Sequence, residues 1–416
     1  MSHVTRRHAT RLLAFAASAA TLAGISAHGA AAADQTVRVG ISLSFTGADA
    51  QSATRIKNGA LLAFDEANAS GALPGIKIDP LILDDATATA GQYDPAQAAT
   101  NARKMVSDRS VMAAIGPQMS GAGKAMAPIL SQGNLATITP ASTNPDLTDP
   151  KFAAQYRPAG KAIYFRTVTT DAFQGPNMAN YMIDSLGAKQ IYILDDGGAY
   201  GVGMADAFQR QAEKRGAKVA GRDRLDPKAS DYTAVLTKIK ALAADSIYYG
   251  GTNQAHVKLA KQGFDIVPSL IKAGGDGIVG ADTLEGVGFP AIEGWYATIA
   301  APNTLGDSKA QAWIKRYQAK FDMLPDNYAI TAYDGAMVII DAVKRVAAGG
   351  KEVTRAAVRD AIQSANLETL QGPVAFDDNG DIKSKVVSVF KITKDPGYPD
   401  DDVSHQYKYV GAAPES

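Results

Sequence analysis

Gly116-Pro-Gln-Met-Ser120 and Ile138-Thr-Pro-Ala-Ser-Thr143 are the stretches on which the fold turns. Each follows a short apolar run, Val111 to Ile115 and Leu135 to Ile138, that reads as a buried parallel strand. Each therefore places a hydroxyl and free backbone N–H groups at a strand's carboxyl end, where open α/β sheets bind ligands. Ser120 also opens a predicted helix running to Gln132, whose unpaired N–H groups and dipole favour an anion. Two such loops facing one cleft make a carboxylate cradle of neutral donors. That arrangement suits reversible capture of a small acid rather than chemistry on it.

Working outward, short apolar runs alternate with helical patterns, the signature of parallel sheets covered by helices. Val37 to Leu43 and Ile76 to Leu83 join the two strands above in a first α/β unit. Near Thr167 to Thr170 the pattern restarts, with strands at Ile191 to Leu194, Val219 to Leu225, Ser246 to Gly250 and Leu270 to Gly274. After a strand at Trp295 to Ala300, three helices are expected: Ala310 to Phe321, Ala329 to Ala348 and Thr354 to Ala365. A hairpin of Val374 to Phe376 with Val386 to Ile392, turned at Asp378 to Asp381, is expected to end the chain.

The first 33 residues read as an export signal. Arg6, Arg7 and Arg11 precede an apolar segment from Leu12 to Ile25, and Ala31-Ala32-Ala33 offers a cleavage site. The segment is short and Ala-rich against the roughly 20 residues that span a bilayer. Arg6-Arg7 leaves twin-arginine export open beside the general route, although Ala9 and Thr10 replace the usual bulky apolar residues. Cleavage after Ala33 leaves 383 residues, enough for two or three domains, with 39 basic against 42 acidic side chains. A nearly neutral chain without basic runs gives no electrostatic case for nucleic acid. With no cysteine there is no disulfide, thiol nucleophile or Cys-ligated metal. Only His256 and His405 remain after the leader, too few for a His-rich zinc site.

Several motifs have plainer readings. Gly201-Val-Gly203 follows a strand and opens a helix, yet Asp206 replaces the third glycine of a dinucleotide fingerprint, and Asp195-Asp196 would repel a pyrophosphate. A tight strand-to-helix turn is expected instead. Asp377 to Asp381 lacks the glycine and distal Glu of a calcium loop. Tyr200, beside Gly197, Gly198 and Gly201, can offer a flat face and a hydroxyl to a ligand, or be a surface-turn tyrosine. Asp276 in Ala273-Gly-Gly-Asp-Gly277 can pair with a ligand cation or shape a turn; Tyr328 can line a cleft or cap a helix.

Together these landmarks resemble the leucine/isoleucine/valine-binding family, the substrate-binding proteins of branched-chain amino acid ABC transporters. Ser44-Phe-Thr-Gly47, Asn58-Gly-Ala60, Asp84-Asp85, Phe165-Arg166, Gln174-Gly175, Tyr248-Tyr-Gly-Gly251 and Gln371-Gly-Pro373 carry the resemblance, with the two loops above. It covers Val37 to about Ile392. It implies an α/β type I periplasmic binding protein fold, with two doubly wound parallel-sheet lobes joined by three hinge crossings near Thr169, Ile299 and Gly372. The lobes would comprise 34–169 plus 299–372, and 170–298 plus 373–416, after a 1–33 signal peptide. The implied protein is periplasmic, monomeric, free of cofactor and metal, and not an enzyme. It would capture an amino acid or related small carboxylate and deliver it to an inner-membrane ABC permease, or alternatively signal to a receptor.

By the same resemblance, Ser120 and the loop from Ala141 to Thr143 would hold the ligand carboxylate. The Ala141 carbonyl and Thr143 hydroxyl would accept from its ammonium, Asp276 would pair with that ammonium, and Tyr200 and Tyr328 would line the side-chain pocket. Ser52 and Thr252 stand where branched-chain binders carry tyrosine, and Gln118 where they carry an aliphatic residue. The expected ligand is therefore larger or more polar than leucine.

Overall fold

The computed structural model of the protein describes residues 35–415. The expected leader, with its cleavage point near Ala33, lies outside the described residues. Strands covered on both faces are near-continuously apolar, and in Gln35–Leu43 the side chains of Val37, Val39, Ile41 and Leu43 are all fully buried. This strand sits inside a five-stranded parallel sheet ordered Ile76–Asp84, Gln35–Leu43, Val111–Ile115, Ala136–Thr139, Tyr164–Arg166. A second sheet repeats the plan with Lys218–Arg224, Gln190–Asp195, Ser246–Gly250, Ile271–Gly274 and Trp295–Ile299, all parallel. Two antiparallel strands, Ser388–Ile392 and Tyr407–Ala412, extend it. In each sheet the strand order reverses between neighbouring strands, Gln35–Leu43 with Val111–Ile115 and Gln190–Asp195 with Ser246–Gly250, and a crevice opens at their carboxyl ends.

Helices cover both sheets. Pro95–Ser107 starts on proline and is capped by Asp94, which accepts the Ala96 N–H at 2.8 Å. Helix Ala50–Ser70 packs on Asn327–Ala348. A Cβ on Gly59 would lie 2.0 Å from the Ala329 carbonyl oxygen, so this approach depends on a residue without a side chain. The contact brings Tyr328 to the cavity that Ser52 also lines.

The expected C-terminal hairpin does not form. Val374 pairs back with Leu367 in a ribbon of Asn366–Thr369 and Gly372–Ala375, while Ser388–Ile392 joins the second sheet beside Trp295–Ile299. The turn at Asp377 to Asp381 closes on a single bridge between Phe376 and Ile382. Apolar alternation marks a strand but does not name its partner, and beside Trp295–Ile299 both Val389 and Phe390 are buried. Among the described residues, no helix is long and apolar enough to cross a membrane.

Candidate ligand-binding site

The two crevices face one another, and one cavity is lined from both. Asp49, Ser52, Gln118, Met119, Ser120 and Ala141 reach it from the first sheet's carboxyl ends. Tyr200, Thr252, Asn253, Asp276 and Gly277 reach it from the second, joined by Val279, Asp282, Thr283 and Tyr328. Of the residues singled out in the sequence, Ser52, Gln118, Ser120, Ala141, Tyr200, Thr252, Asp276 and Tyr328 thus come together. Thr143 is fully buried and does not line the cavity.

Ser120 is the first residue of helix Ser120–Gln132, which has no side-chain cap of its own. Its hydroxyl accepts the Asn144 N–H at 3.2 Å and a bond from the Ser142 hydroxyl at 3.3 Å. The facing loop is pinned on several sides. Thr139 Oγ1 donates to the Pro117 carbonyl at 2.6 Å and accepts the Ser142 N–H at 2.9 Å, tying the two loops together. Thr331 donates to the Pro140 carbonyl at 2.8 Å. Fully buried Arg166 donates to the Ser142 carbonyl at 2.9 Å while its other nitrogens hold Asp381 and Thr148, each at 2.7 Å. A frame held this way loses little further freedom on binding.

Across the cavity, Asp276 is a buried carboxylate held by neutral donors. Tyr200 OH and Gln174 Nε2 donate to Oδ1 at 2.6 and 3.0 Å, and Tyr328 OH to Oδ2 at 2.6 Å. Tyr328 therefore does not cap its helix; Asp326 does, accepting the Ala329 N–H at 2.8 Å. Gln174 also reaches Asp171 Oδ1 at 3.2 Å. The Thr143 hydroxyl is buried beside the Asp171 carboxyl and opposes its pKa rise. Burial raises both carboxyl pKa values, that of Asp171 to about 8 with added repulsion from Asp276, while the tyrosine and glutamine donors oppose the rise at Asp276. Burial also pushes the Tyr200 and Tyr328 hydroxyls well above their ordinary value, so both act as neutral donors.

These shifts carry a sign for stability. Asp171 titrates near 8 in the folded chain against an ordinary 3.8, so between these values the native state holds a proton that the unfolded state has released. Stability from this group therefore rises as pH falls through that window. Asp49 and Asp85, both raised to about 7 chiefly by burial, act in the same sense. Buried His256, lowered to about 3, opposes them below its ordinary 6.5. The unliganded protein is expected to have a higher urea midpoint at pH 6.5 than at pH 8, with a smaller difference in Asp171→Asn. A higher midpoint at pH 8 would contradict this.

A family model described as periplasmic binding protein matches residues 36–396. The chain belongs to the periplasmic binding protein family. It is similar to the Leu/Ile/Val-binding protein BraC3 of Rhizobium johnstonii, 29% identical over 356 residues that cover 85% of this chain and 91% of that one. The leucine binding protein LivK of Thermotoga maritima superposes with a TM-score of 0.77 at 24% identity, covering 91% of this chain and 98% of the other. An R. palustris solute binding protein, solved in complex with benzoate, superposes with a TM-score of 0.75 at 20% identity over 91% of this chain and 97% of the other. Family membership implies a small-molecule ligand, an extracytoplasmic location and work with an ABC transporter.

Direct contacts cross the cleft of this periplasmic binding protein. Asp282, on helix Ala281–Val287, accepts the N–H groups of Gln51 at 3.2 Å and Ser52 at 2.8 Å. Asp49, at the N-cap of helix Ala50–Ser70, makes no side-chain capping bond, so Asp282 supplies the anion at that helix end from the other side. Asn253 donates to the Ala48 carbonyl at 3.1 Å and Asn144 to the Ala199 carbonyl at 2.8 Å. Losing a cap costs about 0.5–2 kcal/mol. Asp282→Ala is therefore expected to weaken ligand binding roughly 3- to 30-fold, by calorimetry, with little change in the unliganded urea midpoint. Unchanged affinity would show that these contacts do not hold the cleft shut.

Sequence reasoning missed Asp49, Asn253, Asp282 and Thr283. Asp49 and Asn253 follow strand ends, so the rule that found Ser120 could have found them. Asp282 sits on a short helix between Gly280 and Gly288 that carries no strong periodic signal. The Gly201 turn is explained by packing: an added Cβ would lie 2.2 Å from Asp196 Oδ1 and 2.6 Å from the Gly250 carbonyl oxygen. His256 is buried edge-on against Trp295 and His405 pairs with Asp402; neither lines the cavity.

Proposed function

We propose that the protein captures an amino acid, or a related small carboxylate, between its lobes and hands it to an ABC permease of the inner membrane. One observation carries this reading. The uncapped helix end at Ser120 and the buried carboxylate of Asp276 line the same cavity, and among the described residues no Lys, Arg or His does. Ser120 and the Ala141 loop suit a ligand carboxylate. Asp276 Oδ2 accepts one bond and keeps a lone-pair direction for an ammonium. A hydrogen bond to a charged group contributes about 1.5–3 kcal/mol, so each end of an amino acid would be held. Thr143 is left out of this contact set.

The names of BraC3 and LivK favour an amino acid. The benzoate complex keeps a carboxylate without an amino group in view. Neither His256 nor His405 lines the cavity, and we read the protein as a binding protein rather than an enzyme. We place the three hinge crossings near Thr169, Ile299 and Gly372, the last in the ribbon of Asn366–Thr369 and Gly372–Ala375. A cleaved leader ending near Ala33 and a monomeric state complete the proposal.

The test is a thermal-shift screen of the mature protein against amino acids, their amides, and aromatic and aliphatic carboxylates. A ligand at about 100 times its Kd adds roughly 2.7 kcal/mol of stability. Stabilisation by α-amino acids is the expected result. Stabilisation only by acids lacking the amino group would remove the amino-acid assignment and the role of Asp276 with it.

A further inference from the structure

Ser52, Thr252 and Asn253 line the cavity together with acceptors that nothing among the described residues uses. Asp49 is 5% exposed and Gln118 7% exposed, both line the cavity, and among the described residues Asp49 Oδ2 and Gln118 Oε1 have no hydrogen-bond partner. The Gln118 amide is oriented by its own donor, Nε2, which bonds the Ser52 hydroxyl at 3.2 Å and leaves the carbonyl oxygen free. Asp282 joins this wall with both oxygens already engaged by backbone N–H groups. Buried acceptors without donors are costly, and a buried carboxylate more so. An apolar side chain of leucine type would leave both unsatisfied.

We propose that this end of the cleft is a second polar subsite, built for a ligand side chain that ends in a cationic nitrogen, so that the solute is a basic α-amino acid. This rests on the amino-acid reading of the cleft and narrows it. The ligand's carboxylate lies at Ser120, its α-ammonium at Asp276, and its side-chain ammonium or guanidinium between Asp49 and Gln118. The groups acting on Asp49 are of one sign. Asp282 faces it from helix Ala281–Val287, Asp196 from the end of Gln190–Asp195, and Asp85 from the end of Ile76–Asp84, with Tyr93 and Tyr249 also within its field. Burial and these acids raise the Asp49 pKa to about 7. A ligand cation favours the ionised form, so its binding releases a proton near and below that pH. Among the described residues no group of His, Cys, Asp and Glu is placed to hold a metal ion, and the missing donor is assigned to the ligand.

The decisive comparison uses near-isosteres: L-lysine against L-norleucine and L-ornithine against L-norvaline, with L-arginine, L-glutamine and L-leucine, by calorimetry on the mature protein. Each basic member is expected to bind at least 10-fold tighter than its apolar counterpart. Measured at pH 6 in two buffers of different ionisation enthalpy, lysine binding should release more protons than norleucine binding, because both place an ammonium at Asp276 and only lysine places a second cation at Asp49. Asp49→Asn should bring the lysine-to-norleucine ratio of Kd values close to 1. Gln118→Leu, which keeps the carboxylate, should reduce the ratio several-fold and covers the case in which the first variant fails to fold. Tighter binding of norleucine, leucine or glutamine than of any basic amino acid would overturn the subsite while leaving amino-acid capture intact. Binding of carboxylates but of no amino acid would overturn both.

Discussion

Asp276→Asn is expected to raise the Kd for an α-amino acid about 100-fold while leaving the unliganded protein at least as stable as the parent. Removing one partner of a buried, hydrogen-bonded charge pair costs about 2–5 kcal/mol of binding, most of it from leaving the other charge unpaired. In the unliganded chain the balance runs the other way. Among the described residues Asp276 has no cationic partner, and its burial and the nearby Asp171 both disfavour ionisation. An amide of the same shape can still accept from Tyr200 or Tyr328, so the loss should fall on binding and not on folding. Calorimetry with the screened ligand, beside urea midpoints of both proteins, separates the two. Unaltered affinity would remove Asp276 from the ligand contacts. A lowered midpoint would instead make it a structural acid.

Arg166→Ala should do the reverse, and strike folding first. Arg166 is fully buried and its guanidinium joins three segments: Asp381 of the C-terminal turn, Thr148, and the Ser142 carbonyl of the cradle loop. Breaking a buried ion pair by removing one partner costs about 3–5 kcal/mol, because the remaining charge stays buried. The Asp381 side chain is only 17% exposed, so water can compensate little. Urea denaturation is the measurement, uncomplicated by disulfides since the chain has no cysteine. Ligand affinity of the folded protein should also fall, as the Ser142 loop loses its anchor. An unfolding free energy within about 1 kcal/mol of the parent's, a bound set well below that cost, would show that Thr331 and Thr139 hold the cradle without Arg166.

Much of this architecture was legible in the chain itself, for a physical reason. Parallel strands buried on both faces must be apolar throughout, so Val111 to Ile115 and Ser246 to Gly250 stand out from the polar turns beside them. Ligands of such sheets gather at strand carboxyl ends, so Ser120, Ala141, Tyr200 and Asp276 could be named from local context, and Thr252 through the family resemblance. Periodicity is a local property, however, and partnership is not. The strand at Ser388–Ile392 was visible in the sequence while its pairing with Trp295–Ile299 was not, because the gain from burying it depends on a surface assembled from elsewhere.

The sequence by itself determined the α/β class and the two-unit plan, and it marked the strand-end loops at Ser120 and Ala141 that line the cavity. It did so because each depends on residues close together in the chain. Only the tertiary structure decided what faces what. It showed that Tyr200, Tyr328 and Gln174 converge on Asp276, that Asp282 caps a helix across the cleft, and that Asp49 and Gln118 share a wall with acceptors unmet. Each of these joins residues tens or hundreds of positions apart. Whether a buried polar group is satisfied or free depends on that three-dimensional neighbourhood, and so does its pKa.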